Sequence, residues 1–327
     1  MSKPKILITR KVPGEALEDL FSQCEATMWQ EETAMPRQEL LSQSAGIEGL
    51  HLIWLDHIDE EYLDAAPNLR VLSTYAVGHD NIDLAACTQR GIPVGFAPNA
   101  VTEATADTAF ALLLAASRRI KEGVDFVKAG QWGEWSPYTL LGNDVYGKTI
   151  GIVGLGRIGQ SIARRARGFN MRIVYHNRRP NPQAEQELGA EYRSLEALLA
   201  EADAVVLATP GGADTRHLIN KAALGQMKKS AYLVNVGRGT IVDQEALFEA
   251  LSSGIISGAG LDVTDPEPLP SDHPLLTLEN CTIIPHIGTA SWETRALMAR
   301  VSVDNLLRGL RGEKMQFCAN PEVYQTD

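Results

Sequence analysis

The sequence has few cysteines and no histidine-rich cluster, and each shortage excludes a kind of site. Its four cysteines among 327 residues are scattered, at Cys24, Cys87, Cys281 and Cys318, without a C-x-x-C pair. Such spacing is typical of free thiols in a reducing compartment and not of a disulfide framework. The seven histidines form no cluster with cysteines or acids of the kind that binds a metal ion. We therefore expect neither structural disulfides nor a bound metal.

Long apolar runs and an excess of positive charge are also lacking. No segment approaches the roughly 18 apolar residues of a membrane span. The apolar run in the N-terminal segment MSKPKILITRK is too short for a signal peptide. The net charge of −11 argues against a general nucleic-acid surface, which requires a basic face. We expect a cytoplasmic protein with no membrane and no nucleic-acid partner. Its length allows two domains.

The first hundred residues contain four short apolar segments that alternate with helical patterns. Such alternation is typical of a parallel sheet with helices on its faces. The strands are predicted at residues 5–9, 51–55, 70–75 and 92–96, with helices at 15–24 and 37–43. This first unit is predicted to end near Pro98.

The segment TIGIVGLGRIG at residues 149–159 is the most specific local pattern in the chain. An apolar strand runs into Gly154, Gly156 and Gly159, and a helical pattern follows. In this G-x-G-x-x-G arrangement the first glycine permits a tight turn and the second lets the backbone approach a pyrophosphate. The third lets helix and strand pack closely. Because both the strand and the helix are present, the segment predicts a dinucleotide site.

Six apolar segments in the second part of the chain have the spacing of strands in a doubly wound sheet. They lie at residues 150–155, 172–176, 204–209, 231–236, 259–263 and 282–285. A final helix at 292–311 is predicted to pack on the first unit, which otherwise lacks a closing helix. The sequence thus predicts an α/β protein of two doubly wound parallel-sheet domains. A Rossmann nucleotide domain, residues 99–289, is inserted into a flavodoxin-like substrate domain, residues 1–98 plus 290–327, with a cleft between them.

Residues 102–120, TEATADTAFALLLAASRRI, predict one long helix that is apolar on nearly all sides. Thr102 is the predicted N-cap, and acids lie in the first turn. A helix of this composition must be buried. It is either a core helix or a helix at a domain or subunit interface, and we favour the interface.

The segment after the second strand of the nucleotide domain predicts which dinucleotide binds. An NAD site commonly has an acid there, which holds the ribose hydroxyls. This chain has Asn177, Arg178 and Arg179 and no acid. Arginines form charge-assisted, forked hydrogen bonds with a 2′-phosphate, which an acid would repel. We predict NADP(H) as the preferred cofactor with NAD(H) possible; the alternative is that the arginines belong to a solvated loop.

Four polar residues follow strands of the same predicted sheet. They are Arg238, Asp262, Glu267 and His286. Ligands of open α/β sheets bind outside the carboxyl ends of the strands, so we expect these residues to converge. Arginine can fork onto a carboxylate and polarise the adjacent carbonyl, while histidine donates a proton to the developing alkoxide. A nearby Glu267 would keep the histidine protonated. Arg238, Glu267 and His286 together predict reduction of a 2-oxo acid, although each of them alone is also typical of a structural role.

Four longer segments connect the chain with a known family. They are TYAVGHDNID at 74–83, TADTAFALLLAASRR at 105–119, GLGRIGQSIARR at 154–165 and AGLDVTDPEPLPSDHPLLTLENCTIIPHIGTAS at 259–291. With these segments the chain resembles the D-isomer-specific 2-hydroxyacid dehydrogenases over essentially its full length. Within that family it is most similar to the glyoxylate/hydroxypyruvate reductases.

The resemblance implies a role for each matching residue. Arg238, Glu267 and His286 would be catalytic. The backbone amides of Val77 and Gly78 would bind the substrate carboxylate together with Arg238, and His286 would contact the substrate as its proton donor. The implied cofactor-binding residues are Thr105, Gly154, Gly156, Arg157, Ile158, Gly159, Asn177, Arg178, Arg179, Pro210, Val236, Asp262 and Gly288. The implied reaction is NADPH-dependent reduction of glyoxylate to glycolate and of hydroxypyruvate to D-glycerate.

The resemblance also implies a homodimer in which the long helix and the loop at 130–142 embrace the second subunit. Trp132, Trp135 and Tyr138 in that loop would cap the partner's active site or simply pack the interface.

Two other functions stay open at this point. A phosphoglycerate dehydrogenase would be expected to have an acid at Asn177 and often an added regulatory domain. A dinucleotide-sensing scaffold protein could keep the whole Arg238, Glu267 and His286 set without turnover. Formate dehydrogenases resemble this fold but lack the glutamate partner that Glu267 supplies.

Overall fold

The computed structural model describes residues 2–325, which form two compact units. One unit consists of the described residues up to Val101 together with those from Thr289 onward, and the other is Thr102–Gly288. The chain therefore passes between units after Val101 and after Gly288, where the sequence analysis placed the boundaries after residues 98 and 289.

The discontinuous unit is built on a five-stranded parallel sheet in the order β2-β1-β3-β4-β5. This is the flavodoxin-like strand order. The strands are β1 (Lys5–Ile8), β2 (Glu25–Met28), β3 (Gly49–Leu52), β4 (Val71–Thr74) and β5 (Val94–Gly95). The prediction of four strands was wrong here because it omitted β2. That strand lies at the sheet edge, and none of its four residues is fully buried, so it has no apolar run to identify it.

Five helices cover this sheet. They are α1 (Ala16–Gln23), α2 (Arg37–Ser44), α3 (Glu60–Ala65), α4 (Leu84–Gln89) and, at the end of the chain, α12 (Trp292–Leu310). The last of these begins at an N-cap, Ser291, whose hydroxyl accepts from the backbone N–H of Thr294. It buries Met298, Val303 and Leu306 and contacts β3, β4 and α1. It thereby supplies the closing helix that the first part of the chain lacks.

The inserted unit contains seven parallel strands in the order β12-β11-β10-β9-β6-β7-β8. They are β6 (Thr149–Val153), β7 (Arg172–His176), β8 (Ala190–Tyr192), β9 (Ala204–Leu207), β10 (Tyr232–Asn235), β11 (Gly258–Leu261) and β12 (Cys281–Ile283). The chain moves outward from β6 in both directions, and right-handed crossovers then put helices on both faces. The Rossmann-type order is confirmed, but six strands were predicted. The missed strand, β8, is three residues long and lies at the edge.

Seven helices belong to this unit. They are α5 (Thr102–Ser117), α6 (Ile120–Lys128), α7 (Arg157–Gly168), α8 (Pro182–Leu188), α9 (Leu195–Glu201), α10 (Lys221–Gln226) and α11 (Gln244–Ser252). The prediction of one helix over 102–120 was wrong at its end, because Arg119 adopts a left-handed conformation (φ 53°) that separates α5 from α6. Thr102 is the first helical residue and not the cap. Helix α5 packs on β10, β11 and α7.

Alternate residues of the central strands point to opposite faces of the sheet and belong to two different apolar clusters. Val205 and Leu233 lie in one cluster, while Val206 and Val234 lie in the other. Burial on both faces explains why the strands are almost continuously apolar in sequence. Across residues 2–325, no helix combines the length and the apolar character that a membrane span requires.

Candidate active site

The turn between β6 and α7 has the geometry that its three glycines predict. Gly154 adopts φ 100°, and a Cβ on Gly159 would lie 2.1 Å from the carbonyl oxygen of Gly154. Both positions therefore require glycine. A Cβ on Gly156 would meet no atom within 4 Å, so the space beside the N-cap of α7 is open to a ligand. The positive end of a 12-residue helix faces this space, which suits a pyrophosphate.

Arg157 and Ile158 are the first two residues of α7, directly after this open space. On the neighbouring strand, the side-chain oxygen of Asn177 accepts a hydrogen bond from the backbone N–H of Leu155, at 2.7 Å. This bond fastens the glycine turn to the end of β7. It leaves the amide nitrogen of Asn177 as the group that can donate to a ribose hydroxyl.

Arg178 and Arg179 follow Asn177 and are exposed, and Arg178 has a partner that the sequence analysis did not consider. The Nη1 atom of Arg178 lies 3.9 Å from Oδ2 of Asp214, and both side chains are highly exposed, at 91% and 84%. Asp214 belongs to a one-turn 3-10 helix, Ala213–Thr215, after β9. No local pattern connects two residues that follow different strands, so only the sheet order could reveal this pair.

His286 and Glu267 form the central pair of the site. Nδ1 of His286 lies 2.9 Å from Oε2 of Glu267, and the other carboxylate oxygen accepts the backbone N–H of Thr264 at 2.9 Å. Burial by itself raises the pKa of Glu267. The hydrogen bonds from His286 and Thr264 and the charges of His286 and Arg238 outweigh that effect and hold the pKa below its usual value. Glu267 is therefore a stable carboxylate at neutral pH.

Arg238 lies two strands away from His286 in the sheet, since His286 follows β12 and Arg238 follows β10. It follows β10 and is the N-cap of a 3-10 turn, Gly239–Ile241, with its Nη1 donating to the carbonyl oxygen of Gly237 at 2.9 Å. A Cβ on Gly239 would lie 1.8 Å from the carbonyl oxygen of Thr264. Because Gly239 has no side chain, the segment that leads to Glu267 packs directly on the turn after Arg238.

Asp262 holds the backbone around His286. Its carbonyl oxygen accepts the N–H of His286 at 2.9 Å, and its carboxylate accepts those of Ile287 at 2.7 Å and Gly288 at 2.9 Å. His286 itself adopts φ 51°, a conformation that non-glycine residues seldom take. Burial raises the pKa of Asp262, although these backbone donors partly offset the rise. In the structure this carboxylate accepts from the backbone amides of Ile287 and Gly288, a contact that the sequence did not predict.

The remaining candidates lie where their strands end. Thr105 and Gly288 are close neighbours, since a Cβ on Gly288 would lie 3.7 Å from the methyl carbon of Thr105 and 2.5 Å from Asp262 Oδ2. Pro210 follows β9, and Val236 follows β10 and is buried. Val77 and Gly78 follow β4 in the discontinuous unit and are half-buried. Among residues 2–325 no group of three or more His, Cys, Asp or Glu could hold a metal ion.

Within the inserted unit, the carboxyl edge of the sheet thus combines three functions. The glycine turn has room for a pyrophosphate, Arg238 supplies a forked cation, and His286 supplies an imidazole whose Nδ1 is oriented by a carboxylate. An anion-binding cation beside an oriented proton donor is suited to reaction at a carbonyl next to a carboxylate.

A protein-family model described as the NAD-binding domain of D-isomer specific 2-hydroxyacid dehydrogenases matches residues 110–288. The chain is 47% identical to a glyoxylate reductase of Pyrococcus furiosus, covering 99% of this chain and 97% of that protein. It is 44% identical to a human glyoxylate reductase/hydroxypyruvate reductase, covering 95% and 96%.

Solved structures agree with the sequence comparisons. A protein of Thermus thermophilus has a TM-score of 0.92 and 47% identity, covering 96% of this chain and 99% of that one. An NADPH-dependent glyoxylate/hydroxypyruvate reductase of Sinorhizobium meliloti, in complex with NADP and malonate, has a TM-score of 0.85 and 31% identity. That match covers 100% of this chain and 99% of the other.

Proposed function

The chain belongs to the D-isomer-specific 2-hydroxyacid dehydrogenases, and we propose that it reduces glyoxylate to glycolate and hydroxypyruvate to D-glycerate. The observation that carries this proposal is the His286–Glu267 pair at 2.9 Å, on the same sheet edge as Arg238. The names of the Pyrococcus furiosus and human relatives support the choice of these two small substrates.

His286 is proposed as the proton donor. Glu267 accepts from Nδ1 and so makes Nε2 the ring atom that delivers a proton to the carbonyl oxygen of the substrate. The same hydrogen bond fixes the orientation of the ring. A reduced nicotinamide bound in the groove would supply the hydride for the carbonyl carbon.

Arg238 is proposed to bind the substrate carboxylate. A guanidinium presents a planar fork that matches a carboxylate, and its charge polarises the neighbouring ketone. Val77 and Gly78, in the discontinuous unit, are proposed to bind the substrate through their backbone amides. We accordingly propose that this unit is the substrate domain and that Thr102–Gly288 is the nucleotide domain.

NADPH is the proposed preferred cofactor, with NADH accepted less well. No acid follows β7, Asn177 can donate to ribose without adding charge, and Arg178 and Arg179 supply two cations. The NADPH dependence named for the Sinorhizobium meliloti relative is consistent with this choice. Thr105, Pro210, Val236, Asp262 and Gly288 are proposed to line the same groove.

A second copy of the chain is the proposed partner. Trp132, Trp135 and Tyr138 are 74%, 85% and 82% exposed, which is unusual for three large aromatic side chains within one short loop. We propose that they contact the second subunit and cap its active site. The four cysteines are free thiols, as expected for an enzyme of the cytoplasm, where we place it.

The test is the initial rate of absorbance loss at 340 nm with NADPH or NADH, each against glyoxylate, hydroxypyruvate and pyruvate. We expect the fastest oxidation with NADPH and either of the first two acids. Faster rates with NADH would contradict the cofactor preference and leave the reaction intact. Binding of NADPH without turnover of any 2-oxo acid would contradict the reaction and favour a dinucleotide-sensing scaffold.

A further inference from the structure

Asp214 lies on one side of the cofactor groove and Arg178 on the other. In the sheet, β7 and β9 flank β6, whose carboxyl end begins the glycine turn. Arg178 follows β7 and Asp214 follows β9, so their contact at 3.9 Å joins the two loops that border that turn. A dinucleotide bound at the glycine turn extends its adenosine end toward the end of β7, and hence toward this pair.

The backbone that carries Asp214 is locally ordered by hydrogen bonds. The hydroxyl of Thr215 donates to the carbonyl oxygen of Pro210 at 3.0 Å, and its backbone N–H donates to that of Gly212 at 3.1 Å. The backbone N–H of Arg216 also donates to Gly212, at 3.0 Å. These bonds order the backbone that carries Asp214 after the end of β9.

A carboxylate at this place distinguishes the two cofactors. The 2′-phosphate of NADP(H) carries nearly two negative charges at neutral pH, and a phosphate that pairs with Arg178 comes within a few ångströms of Asp214. Like charges at that separation repel. The 2′-hydroxyl of NAD(H) is a donor, and a carboxylate can accept from it in the way that an acid after the second strand does in NAD sites.

We propose that Asp214 is a specificity-determining residue that lowers the preference for NADPH over NADH. The arginines after β7 attract the 2′-phosphate, and Asp214 supplies from the β9 side the carboxylate that β7 lacks. The inference rests on the proposed function, since it concerns the cofactor of that same reaction. The preference for NADPH over NADH is therefore moderate, and it would be stronger if the arginines acted without Asp214.

The experiment compares Asp214→Asn with the wild-type protein. The substitution removes the charge and keeps the size of the side chain. We expect the ratio of kcat/KM for NADPH to kcat/KM for NADH, with saturating glyoxylate, to rise about 3- to 10-fold at low salt. The rise should shrink in 0.5 M salt, because ions screen charges in solvent. An unchanged or lower ratio would overturn the proposal.

The matched control is Asp64→Asn. It removes an aspartate that pairs with an arginine, Arg90, at 2.6 Å in the other unit, so it makes the same change in net charge. We expect the cofactor ratio of this variant to equal that of the wild type. An equal rise in both variants would attribute the effect to net charge and also overturn the proposal.

A binding measurement separates this inference from the proposed reaction. Adenosine 2′,5′-bisphosphate and 5′-AMP probe the adenosine end without any turnover. We expect Asp214→Asn to increase the affinity for adenosine 2′,5′-bisphosphate relative to that for 5′-AMP, by a factor similar to the rise in the kcat/KM ratio. Absence of glyoxylate turnover in the wild-type protein would contradict the proposed function, while this titration would still decide the role of Asp214.

Discussion

His286 is held both by its ring and by its backbone. Its Nδ1 bonds Glu267, and its left-handed backbone is fixed by Asp262, which accepts hydrogen bonds from the backbone N–H groups of His286 and of the next two residues. Strained conformations of this kind persist where the surroundings over-determine them, and they are concentrated at functional sites. The ring is therefore oriented from two directions.

Asparagine tolerates the left-handed conformation, so His286→Asn removes the proposed proton donor while preserving the backbone. We expect kcat to fall about 10²- to 10⁴-fold. The dissociation constant for NADPH, measured by fluorescence titration, should change little because the dinucleotide groove is intact. Retention of most of the wild-type kcat would refute the role of His286.

His51 is a second histidine with an unusual environment, in the core of the discontinuous unit. Its Nε2 lies 2.9 Å from the hydroxyl of Ser302, which donates to the carbonyl oxygen of Ala299. The ring is thus a neutral donor through Nε2. Burial lowers its pKa to about 4.

The pKa of His51 makes a prediction for stability. An unfolded chain binds this proton near pH 6.5, whereas the folded protein binds it only near pH 4. The contribution of neutral His51 to the free energy of unfolding is fully present above pH 6.5. It is lost as the pH falls to 4, and the total loss is about 3 kcal/mol. Urea unfolding at pH 7.5, 6.0 and 5.0 should show this decline, and His51→Gln should show a shallower one. Equal slopes in the two proteins would exclude His51 as a source of acid sensitivity.

At the scale of elements, two glycines of the turn between β6 and α7 have different roles. Gly159 is required by packing, because a Cβ would lie 2.1 Å from a carbonyl oxygen of the turn. Gly156 faces open space, and its backbone needs no special conformation (φ −80°). One glycine therefore serves the fold, and the other serves the ligand.

A pair of substitutions tests this separation. Gly159→Ala should lower the free energy of unfolding by about 1–3 kcal/mol, as expected when an extra carbon enters a packed interface. Gly156→Ala should change stability by less than about 1 kcal/mol and weaken NADPH binding at least 10-fold, because its methyl group occupies the approach of the pyrophosphate. The measurements are urea unfolding and fluorescence titration. If Gly156→Ala lost stability and bound NADPH as well as the wild type, the proposed role of Gly156 in ligand binding would be wrong.

At the scale of the whole molecule, the exposed apolar surface of α6 and of the loop after it supports the proposal of a second subunit. Ile120, Val124 and Val127 on α6 are 54%, 46% and 51% exposed, and the three aromatic residues of the loop are more exposed still. Single exposed apolar residues are common on protein surfaces, but such a series within one short segment marks an interaction site.

Sedimentation velocity should therefore report a dimer for the wild-type chain. Introducing charge with Val124→Asp and Val127→Asp should shift the equilibrium toward monomer. The control is Phe21→Asp, which changes a residue of α1 that is 44% exposed and should leave the dimer intact. A monomeric wild-type protein, or a dimer unaffected by the double substitution, would contradict the proposed interface.

The sequence by itself determined the features that depend on neighbouring residues. The glycine turn, the apolar central strands, the start of α12 and the catalytic candidates at strand ends could all be predicted from local sequence. Backbone conformation and the burial of continuous strands leave a pattern within a few residues. The edge strands β2 and β8 left no such pattern because they are short and partly exposed, and the left-handed Arg119 that separates α5 from α6 has no local signal.

The tertiary structure alone decided which distant groups meet. It brought Asp214 to Arg178 and directed the carboxylate of Asp262 to the backbone beside His286. The order of strands in a sheet decides which strand ends become neighbours, and that order results from the packing of the whole domain. The composition of a segment indicates what chemistry its side chains can perform. Only the arrangement of segments specifies the charge that each side chain faces.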